Sequence, residues 1–373
     1  MRALLPLAIA GLLTAAASCG SRTGLFVDAP AADAAADASV DGAVPCTPGT
    51  FDFDLAVTQL MFVLDRSGSM RFDLQGNANQ PRSSWRWTLL QDALAQTILP
   101  FDDQIAMGAK FFPEPDVSSS QDAVEACRIQ SGVGIAPVRG NARTILDAFT
   151  PDPLGGTPTA DAVRFAAQFL STSRSVARTI VLATDGAPNC NGEISTSSCI
   201  CTSRDALTGL PSCGGRSGAY SCLDDTRTIS TIRGIAEEQK IPVYVIGLGN
   251  DSATFRDTLD AMAVAGGRPR TTTPRHYSVQ SPDDLTTALA SIRDTVARCT
   301  YLTPSAPTDP DGIVVRIGGR TIPRDPSQTN GWDWIDQTFG SLVLFGAACA
   351  EAQGADAGPV VPTPVSGQVT CSP

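Results

Sequence analysis

Residues 57–70 read VTQLMFVLDRSGSM, an apolar run that stops at an acid and continues into a turn rich in Gly and Ser. A second run, RTIVLAT at residues 178–184, ends in the same way at Asp185. Apolar runs that do not alternate with polar residues are typical of parallel strands buried on both faces. Both runs therefore predict central strands of a sheet, each followed by a carboxylate.

The sequence around these runs alternates between strand and helix patterns. Further strands are predicted at 105–112, 242–248 and 275–279, and helices at 85–98, 141–149, 159–170, 225–239, 252–264 and from Ser281. This alternation predicts an α/β fold, a doubly wound, Rossmann-like and mostly parallel sheet with helices on both faces. In such sheets ligands bind beyond the carboxyl ends of the strands, where the winding direction reverses. The residues that follow the strands are therefore the candidates for function.

Oxygen donors are concentrated in three segments at those positions. Each segment follows a strand or opens a helix, and the candidate metal ligands are Asp65, Ser67, Ser69, Thr157 and Asp185. Carboxylate and hydroxyl oxygens are the ligands that hard cations prefer, whereas imidazole and thiolate are absent from this set. The segments therefore predict a site for Mg²⁺, or for Ca²⁺ or Mn²⁺. The competing interpretation is that the two serines only cap the next helix and that the second acid only satisfies a turn.

The same three segments resemble the metal-ion-dependent adhesion site of the von Willebrand factor type A (VWA) domain. Asp65, Ser67 and Ser69 match its Asp-x-Ser-x-Ser element, Thr157 matches its Gly-Gly-Thr loop, and Asp185 matches its Thr-Asp-Gly element. The resemblance extends over residues 55–299, about two-thirds of the chain. It implies that the three hydroxyls touch the metal, that the acids act directly or through water, and that an Asp or Glu of a protein partner completes the coordination.

Charge and cysteine content restrict the classes of function. The chain has 27 Lys and Arg against 38 Asp and Glu, a net charge of −11, which argues against nucleic-acid binding and against attraction to anionic lipid. It also has 11 cysteines and a single histidine, which favours disulfides in an oxidising compartment.

The N-terminus resembles an export signal of the bacterial lipoprotein type, predicted at residues 1–19. A short apolar stretch leads to Ala16-Ala17-Ser18-Cys19, in which Cys19 would become the acylated first residue. The alternative is an ordinary signal peptide that leaves this thiol unmodified. Residues 20–48 are rich in Ala and Asp and predict a disordered tether. We therefore expect an exported protein of the cell envelope, an outer-membrane or cell-surface lipoprotein that meets the membrane only through its lipid anchor.

The remaining ten cysteines predict complete pairing. Six of them are expected to form three disulfides around the metal face, with partners left open: Cys127, Cys190, Cys199, Cys201, Cys213 and Cys222. Five of these lie in a Cys-rich insert at 186–222, which either shapes partner choice or only rigidifies loops. Its spacings do not form a zinc pattern. For the others we expect Cys46 to pair with Cys299, and Cys349 with Cys371.

The predicted VWA-like domain covers residues 49–299, and residues 300–373 predict a small, disulfide-containing, β-rich unit. Residues 313–323 have the pattern of a hairpin, and residues 341–345 predict a third strand. Between them, Trp332 and Trp334 are interpreted as core residues rather than as a carbohydrate or protein contact.

The expected function is surface adhesion, that is, binding of a protein partner through a divalent cation, without enzymatic activity. A structural envelope protein that docks without metal, and a metal-assisted hydrolase, are the alternatives. The sequence contains no Gly-x-Ser-x-Gly elbow and no phosphate-binding glycine loop. The single histidine, His276, is expected to be a partly exposed strand residue.

Overall fold

The computed structural model describes residues 43–117, 122–150, 152–170, 176–203, 212–213, 218–249, 252–354 and 362–371. The predicted signal at 1–19, its acylated Cys19 and the tether up to residue 42 lie outside the described residues. All of the described residues belong to one compact unit, Asp41–Pro373.

Fourteen strands and eight helices are formed by the described residues. The strands are β1 (Gly49–Asp52), β2 (Asp54–Leu55), β3 (Thr58–Asp65), β4 (Ala106–Phe112), β5 (Ile135–Val138), β6 (Ala177–Thr184), β7 (Val243–Leu248), β8 (Tyr277–Val279), β9 (Thr300–Leu302), β10 (Ile313–Ile317), β11 (Arg320–Ile322), β12 (Gly331–Asp336), β13 (Ser341–Phe345) and β14 (Val365–Val369). The helices are α1 (Arg86–Ile98), α2 (Ala123–Ala126), α3 (Ala142–Asp147), α4 (Thr159–Ala167), α5 (Asp225–Glu237), α6 (Ala253–Ala265), α7 (Pro282–Arg298) and α8 (Gly346–Ala352).

The larger part of the molecule is built on a six-stranded sheet with the order β5-β4-β3-β6-β7-β8. Neighbouring strands are parallel, except that β5 runs antiparallel to β4 at one edge. The predicted mostly parallel sheet is confirmed. The edge strand β5 was not predicted, because it is short, half-exposed and contains Pro137, a residue that sheets tolerate only at edges.

Helices cover both faces of this sheet. Along β3, Leu60 and Phe62 point into a cluster with α1, α3 and α7, whereas Met61 and Val63 point into a second cluster with α4, α5 and α6. Successive side chains of a strand point to opposite faces, so a strand buried on both sides reads as a continuous apolar run. The doubly wound arrangement expected from the sequence is therefore present.

A second region is built from two four-stranded sheets, ordered β1-β14-β10-β11 and β12-β13-β9-β2, which share one hydrophobic cluster. The predicted β-rich unit is present, but its strands do not all come from 300–373. Strands β1 and β2 pair with β14 and β9, so residues 49–55 belong to this region rather than to the α/β domain. Residues 43–48, assigned to the tether, also attach here, because the Val44 N–H donates to the Thr338 carbonyl.

Two of the predicted disulfide pairs are wrong. Cys46 pairs with Cys371, and Cys299 pairs with Cys349. The first pair forms because Cys46 precedes β1 and Cys371 follows β14, and these two strands are antiparallel neighbours. The second joins the end of α7 to α8. The six remaining cysteines do form three disulfides, as expected, and these are Cys127–Cys190, Cys199–Cys222 and Cys201–Cys213.

The tryptophan pair lies in β12. Trp332 is buried in the shared cluster, and the ring of Trp334 meets it edge-on with 5.3 Å between centroids. The indole N–H of Trp334 donates to the Pro310 carbonyl. Core packing by Trp332 is thereby confirmed. None of the helices in the described part of the chain is long and apolar enough to cross a membrane.

Candidate cation site at the carboxyl ends of β3 and β6

The candidate residues lie where the winding of the sheet reverses. Strand β3 has β4 on one side and β6 on the other, and all three are parallel, so their carboxyl ends share one edge of the sheet. Asp65 is the last residue of β3, and Asp185 follows the last residue of β6. The topology therefore brings together two acids that are 120 positions apart in the sequence.

A cavity of about 720 Å³ opens at this edge, and Ser67, Ser69, Thr157 and Asp185 all contribute to its wall. Asp65 does not line it, because its side chain is fully buried beneath the serine loop. Four of the five predicted ligands thus face one cavity, and the fifth lies behind them.

The Asp65 carboxylate is held by two donors. Its Oδ1 accepts the Ser67 N–H at 2.8 Å, and its Oδ2 accepts the Thr184 hydroxyl at 2.6 Å. The pKa of Asp65 is raised to about 7, chiefly by burial and next by the charge of Asp185, although the hydrogen bonds from Thr184 and Ser67 act in the opposite direction. Two carboxylates in a buried environment repel each other, and a cation between them would relieve that repulsion.

The two serine hydroxyls point to one place, as their spacing predicts. Their Oγ atoms lie 3.0 Å apart. Ser67 precedes a short 3₁₀ turn at Gly68–Arg71, but its side chain makes no capping hydrogen bond to that turn. The N–H of Gly68 donates instead to the Gly155 carbonyl, which ties the serine loop to the Gly-Gly-Thr segment. The helix-cap interpretation of Ser67 is therefore not supported by this geometry.

The Thr157 segment is fixed from the side of the Cys-rich insert. The Thr157 N–H donates to Asn189 Oδ1 at 2.7 Å, and its carbonyl accepts the Asn189 N–H at 2.9 Å. The next residue, Cys190, is linked to Cys127. This disulfide lies against Gly156, where an added Cβ would come within 2.6 Å of the Cys190 sulfur, so only glycine fits there.

Sequence reasoning did not identify Arg86, the first residue of α1. Its Nη1 lies 2.8 Å from Asp185 Oδ2, and both side chains are only 6% exposed. No local signal marks this residue, because a polar residue at the start of a helix is ordinary. Thr184, also missed, directly precedes Asp185 and so could have been found from its position.

The donor set suits a hard divalent cation. The wall offers hydroxyls and one carboxylate, with the second carboxylate behind it, and this is the chemistry that Mg²⁺ and Ca²⁺ take. A thiolate alternative lies elsewhere, where the sulfurs of Cys199, Cys201 and Cys213 are within 4.8 Å of one another. These cysteines are disulfide-bonded, and a metal requires thiolates.

His276 lies away from the cavity wall and is buried, which corrects the expectation of a partly exposed strand residue. It precedes β8, and its Nδ1 lies 2.6 Å from Asp260 Oδ1. The ring packs on β7, where Gly247 leaves room for it.

No protein-family model and no curated protein matches this chain. Among solved structures, it is similar to the PilB minor pilin from Streptococcus sanguinis (20% identity, TM-score 0.43, covering 65% of this chain and 62% of the pilin). It is also similar to the pilus adhesin SpaC from Lactobacillus rhamnosus GG (17% identity, TM-score 0.43, covering 87% of this chain and 42% of the adhesin). A third similar structure is the vWF domain of the type V pili tip protein Mfa5 from Porphyromonas gingivalis (14% identity, TM-score 0.41, covering 65% of this chain and 96% of that domain). These values are too low to transfer a function.

Proposed function

We propose that this protein is a binding protein of the cell surface that captures an acidic group of a protein partner through a divalent cation. The cation would be held by Asp65, Ser67, Ser69, Thr157 and Asp185. The observation that carries this proposal is the convergence of four of these side chains on one cavity, with the fifth buried behind them. The resemblance of the three segments to a VWA adhesion site supports the same conclusion.

The candidate ligands include both neutral and negatively charged oxygen donors. Ser67, Ser69 and Thr157 would offer neutral oxygens from the cavity wall, so they would not offset the charge of the ion. Asp65, held by the Ser67 N–H and the Thr184 hydroxyl, would supply its negative charge from behind the wall. A divalent cation held this way would retain positive charge to attract a carboxylate from outside.

The surrounding loops keep this arrangement in place before any ligand arrives. The hydrogen bond from the Gly68 N–H to the Gly155 carbonyl joins the serine loop to the Gly-Gly-Thr segment. Two hydrogen bonds with Asn189 hold Thr157 in position. Helix α4 begins two residues after Thr157, and its positive end favours an anion nearby. A preorganised site of this kind loses little entropy on binding.

The test is a calorimetric titration of the full chain with Mg²⁺ and with Mn²⁺. We expect one binding event in the wild type and a loss of at least about a hundredfold in affinity in Asp65→Ala, since the variant loses a buried ligand charge. Asp103→Asn is the matched control. Asp103 is an exposed acid before β4, at the opposite edge of the sheet, and its replacement should leave affinity unchanged.

Two results would contradict the proposal. One is cation affinity in Asp65→Ala equal to that of the wild type, with circular dichroism showing that the variant is folded. The other is the absence of any cation binding in the wild type, which would favour the alternative of docking without metal. The metal-assisted hydrolase would instead require turnover that is lost in the same variant.

We also propose that the protein is exported and anchored through Cys19. This rests on the signal pattern at 1–19. An anchored chain would present the cavity outside the cell, where disulfides form and where a partner protein can reach it.

A further inference from the structure

A positively charged side chain stands inside the candidate cation site. The guanidinium of Arg86 forms a buried ion pair with Asp185 and lines the same cavity as Ser67, Ser69 and Thr157. Among the described residues of the cavity wall, Arg86 and Asp185 are the only charged ones. A positively charged side chain within a candidate cation site needs a physical explanation.

The structure is shaped to keep Arg86 there. The backbone N–H of Arg86 donates to the Phe72 carbonyl, which fixes the start of α1 beside the serine loop. Gly249, after β7, has a φ of +70°, and a Cβ at this position would lie 2.8 Å from Arg86 Nη2. The glycine therefore makes room for the guanidinium. Arg86 Nε has no hydrogen-bond partner among the described residues, so one donor remains unused.

The net charge of the site suggests a role for Arg86. With both acids ionised, Asp65 and Asp185 contribute two negative charges and Arg86 one positive charge, which gives the cation-free site a net charge of one negative unit. A divalent cation would bring the total to one positive charge, and a single carboxylate from a partner would bring it to zero. Without Arg86, the cation alone would neutralise the site, and the carboxylate would add an uncompensated charge in a buried environment.

We propose that Arg86 determines the specificity of this site, weakening its hold on the cation and making the cation-loaded site select an anionic group. The inference rests on the proposed function, since it concerns the same cavity. Arg86 acts through Asp185 and through its charge, so it is a residue that tunes the site and need not touch the cation. The class of ligand it favours is a carboxylate over a neutral group of the same shape.

The experiment compares the full-length wild type with Arg86→Met, which keeps the length of the side chain and removes its charge, and with Arg86→Lys, which keeps the charge. Arg227→Met is the matched control, because it breaks the Arg227–Asp224 ion pair, which does not include Asp185. Mn²⁺ affinity is followed by electron paramagnetic resonance at one pH for all the proteins, about pH 8, which is well above the ordinary pKa of a carboxyl group. Acetate and its neutral analogue acetamide are then titrated into the Mn²⁺-loaded proteins.

We expect Arg86→Met to bind Mn²⁺ at least about tenfold more tightly than the wild type and, once loaded, to bind acetate at least about tenfold more weakly. Arg86→Lys and Arg227→Met should stay within about threefold of the wild type in both measurements. Acetamide should not distinguish the variants. If Arg86→Met is less stable than the wild type without cation, we expect Mn²⁺ to raise its melting temperature by more than that of the wild type.

The opposed changes in the two affinities are decisive. Weaker or unchanged Mn²⁺ binding in Arg86→Met, or acetate affinity equal to that of the wild type, overturns the role of Arg86 while leaving the cation site in place. Equal effects in Arg86→Met and Arg86→Lys also overturn it, because they would not depend on charge. A wild type that binds no Mn²⁺ overturns the proposed function itself and this inference with it.

Discussion

His276 illustrates how a single side chain can depart from its sequence expectation. The ring is buried, and Asp260 Oδ1 receives the backbone N–H groups of both Arg275 and His276 and lies 2.6 Å from the His276 ring. Burial lowers the pKa of His276 below its ordinary value, while Asp260 partly opposes this, and the charges of Arg270 and Arg256 lower it further. The histidine is therefore neutral in the folded protein near pH 7.

This predicts that His276 lowers the stability of the folded protein in mild acid. The unfolded chain takes up a proton at His276 near pH 6.5, whereas the folded protein takes it up only at lower pH, so the contribution of His276 to the free energy of unfolding falls as the pH drops below about 6.5. His276→Asn removes this contribution, so the wild type should lose stability relative to the variant as the pH falls, by up to about 1.4 kcal/mol per pH unit. Urea unfolding at a series of pH values measures it.

The pKa of Asp65 is raised in the folded protein, so protonation of Asp65 increases the free energy of unfolding over the same pH range. The comparison with the variant is needed to separate this effect from that of His276. As His276 is the only histidine of the chain, the difference between the curves isolates its contribution. Parallel curves for the wild type and His276→Asn would contradict the prediction.

The contrast between Asp65 and Arg86 shows how far residues could be predicted. Asp65 and Asp185 each end an apolar run, and parallel strands end at a common edge, so their proximity follows from the sequence. The ion pair of Arg86 with Asp185 depends on how the start of α1 packs beside the end of β6. That packing involves Gly249, a residue far from both in the sequence, and leaves no local pattern.

At the scale of elements, the Thr157 segment depends on the disulfide beside it. Cys127 follows α2, and Cys190 adjoins Asn189, which holds Thr157 by two hydrogen bonds. The N–H of Gly156 also donates to the Ala126 carbonyl, one residue before Cys127. The two segments that hold Gly156 and Thr157 in position are thus joined to each other by the Cys127–Cys190 disulfide.

Removal of this bond should weaken cation binding without unfolding the protein. In the double variant Cys127→Ser with Cys190→Ser, the Thr157 segment gains freedom that binding must then restrict, so we expect Mg²⁺ affinity to fall by about five- to tenfold. Calorimetry measures the change. The control, Cys299→Ser with Cys349→Ser, removes a disulfide of the β-rich region and should lower the melting temperature while leaving Mg²⁺ affinity unchanged. Equal Mg²⁺ affinities in the two double variants would contradict the prediction.

Long buried elements were predictable, and short, partly buried elements were not. Strands β3 and β6 were visible because burial on both faces requires an unbroken apolar run. Strands β5 and β14 are short and only partly buried, so their residues do not differ from those of loops. Which strands pair with β14 is likewise decided by tertiary contacts.

For the molecule as a whole, the described part of the chain begins and ends in the β-rich region. We predicted that residue 49 begins the α/β domain, but β1 lies beside β14, and this also explains why Cys46 pairs with Cys371 rather than with Cys299. Sequence order suggested two consecutive units, whereas the second region is assembled from both ends of the described chain. No local pattern reports such a pairing, since it joins segments more than 300 residues apart.

The anchoring proposal is tested on the whole protein in a bacterial host that acylates lipoproteins. We expect the wild type to incorporate labelled fatty acid and to fractionate with membranes, and Cys19→Ser to do neither, because the thiol is the acceptor. Cys46→Ser provides the control, since it also removes one cysteine but not the acylation site. Equal incorporation in the wild type and Cys19→Ser would exclude this anchor.

The Cys46–Cys371 bond has a mechanical consequence. Tension applied between a point before residue 46 and a point after residue 371 travels through one covalent crosslink and bypasses the 324 residues in between. The central sheet and its cavity would therefore bear no load from such a pull, and the cavity would keep its shape under tension.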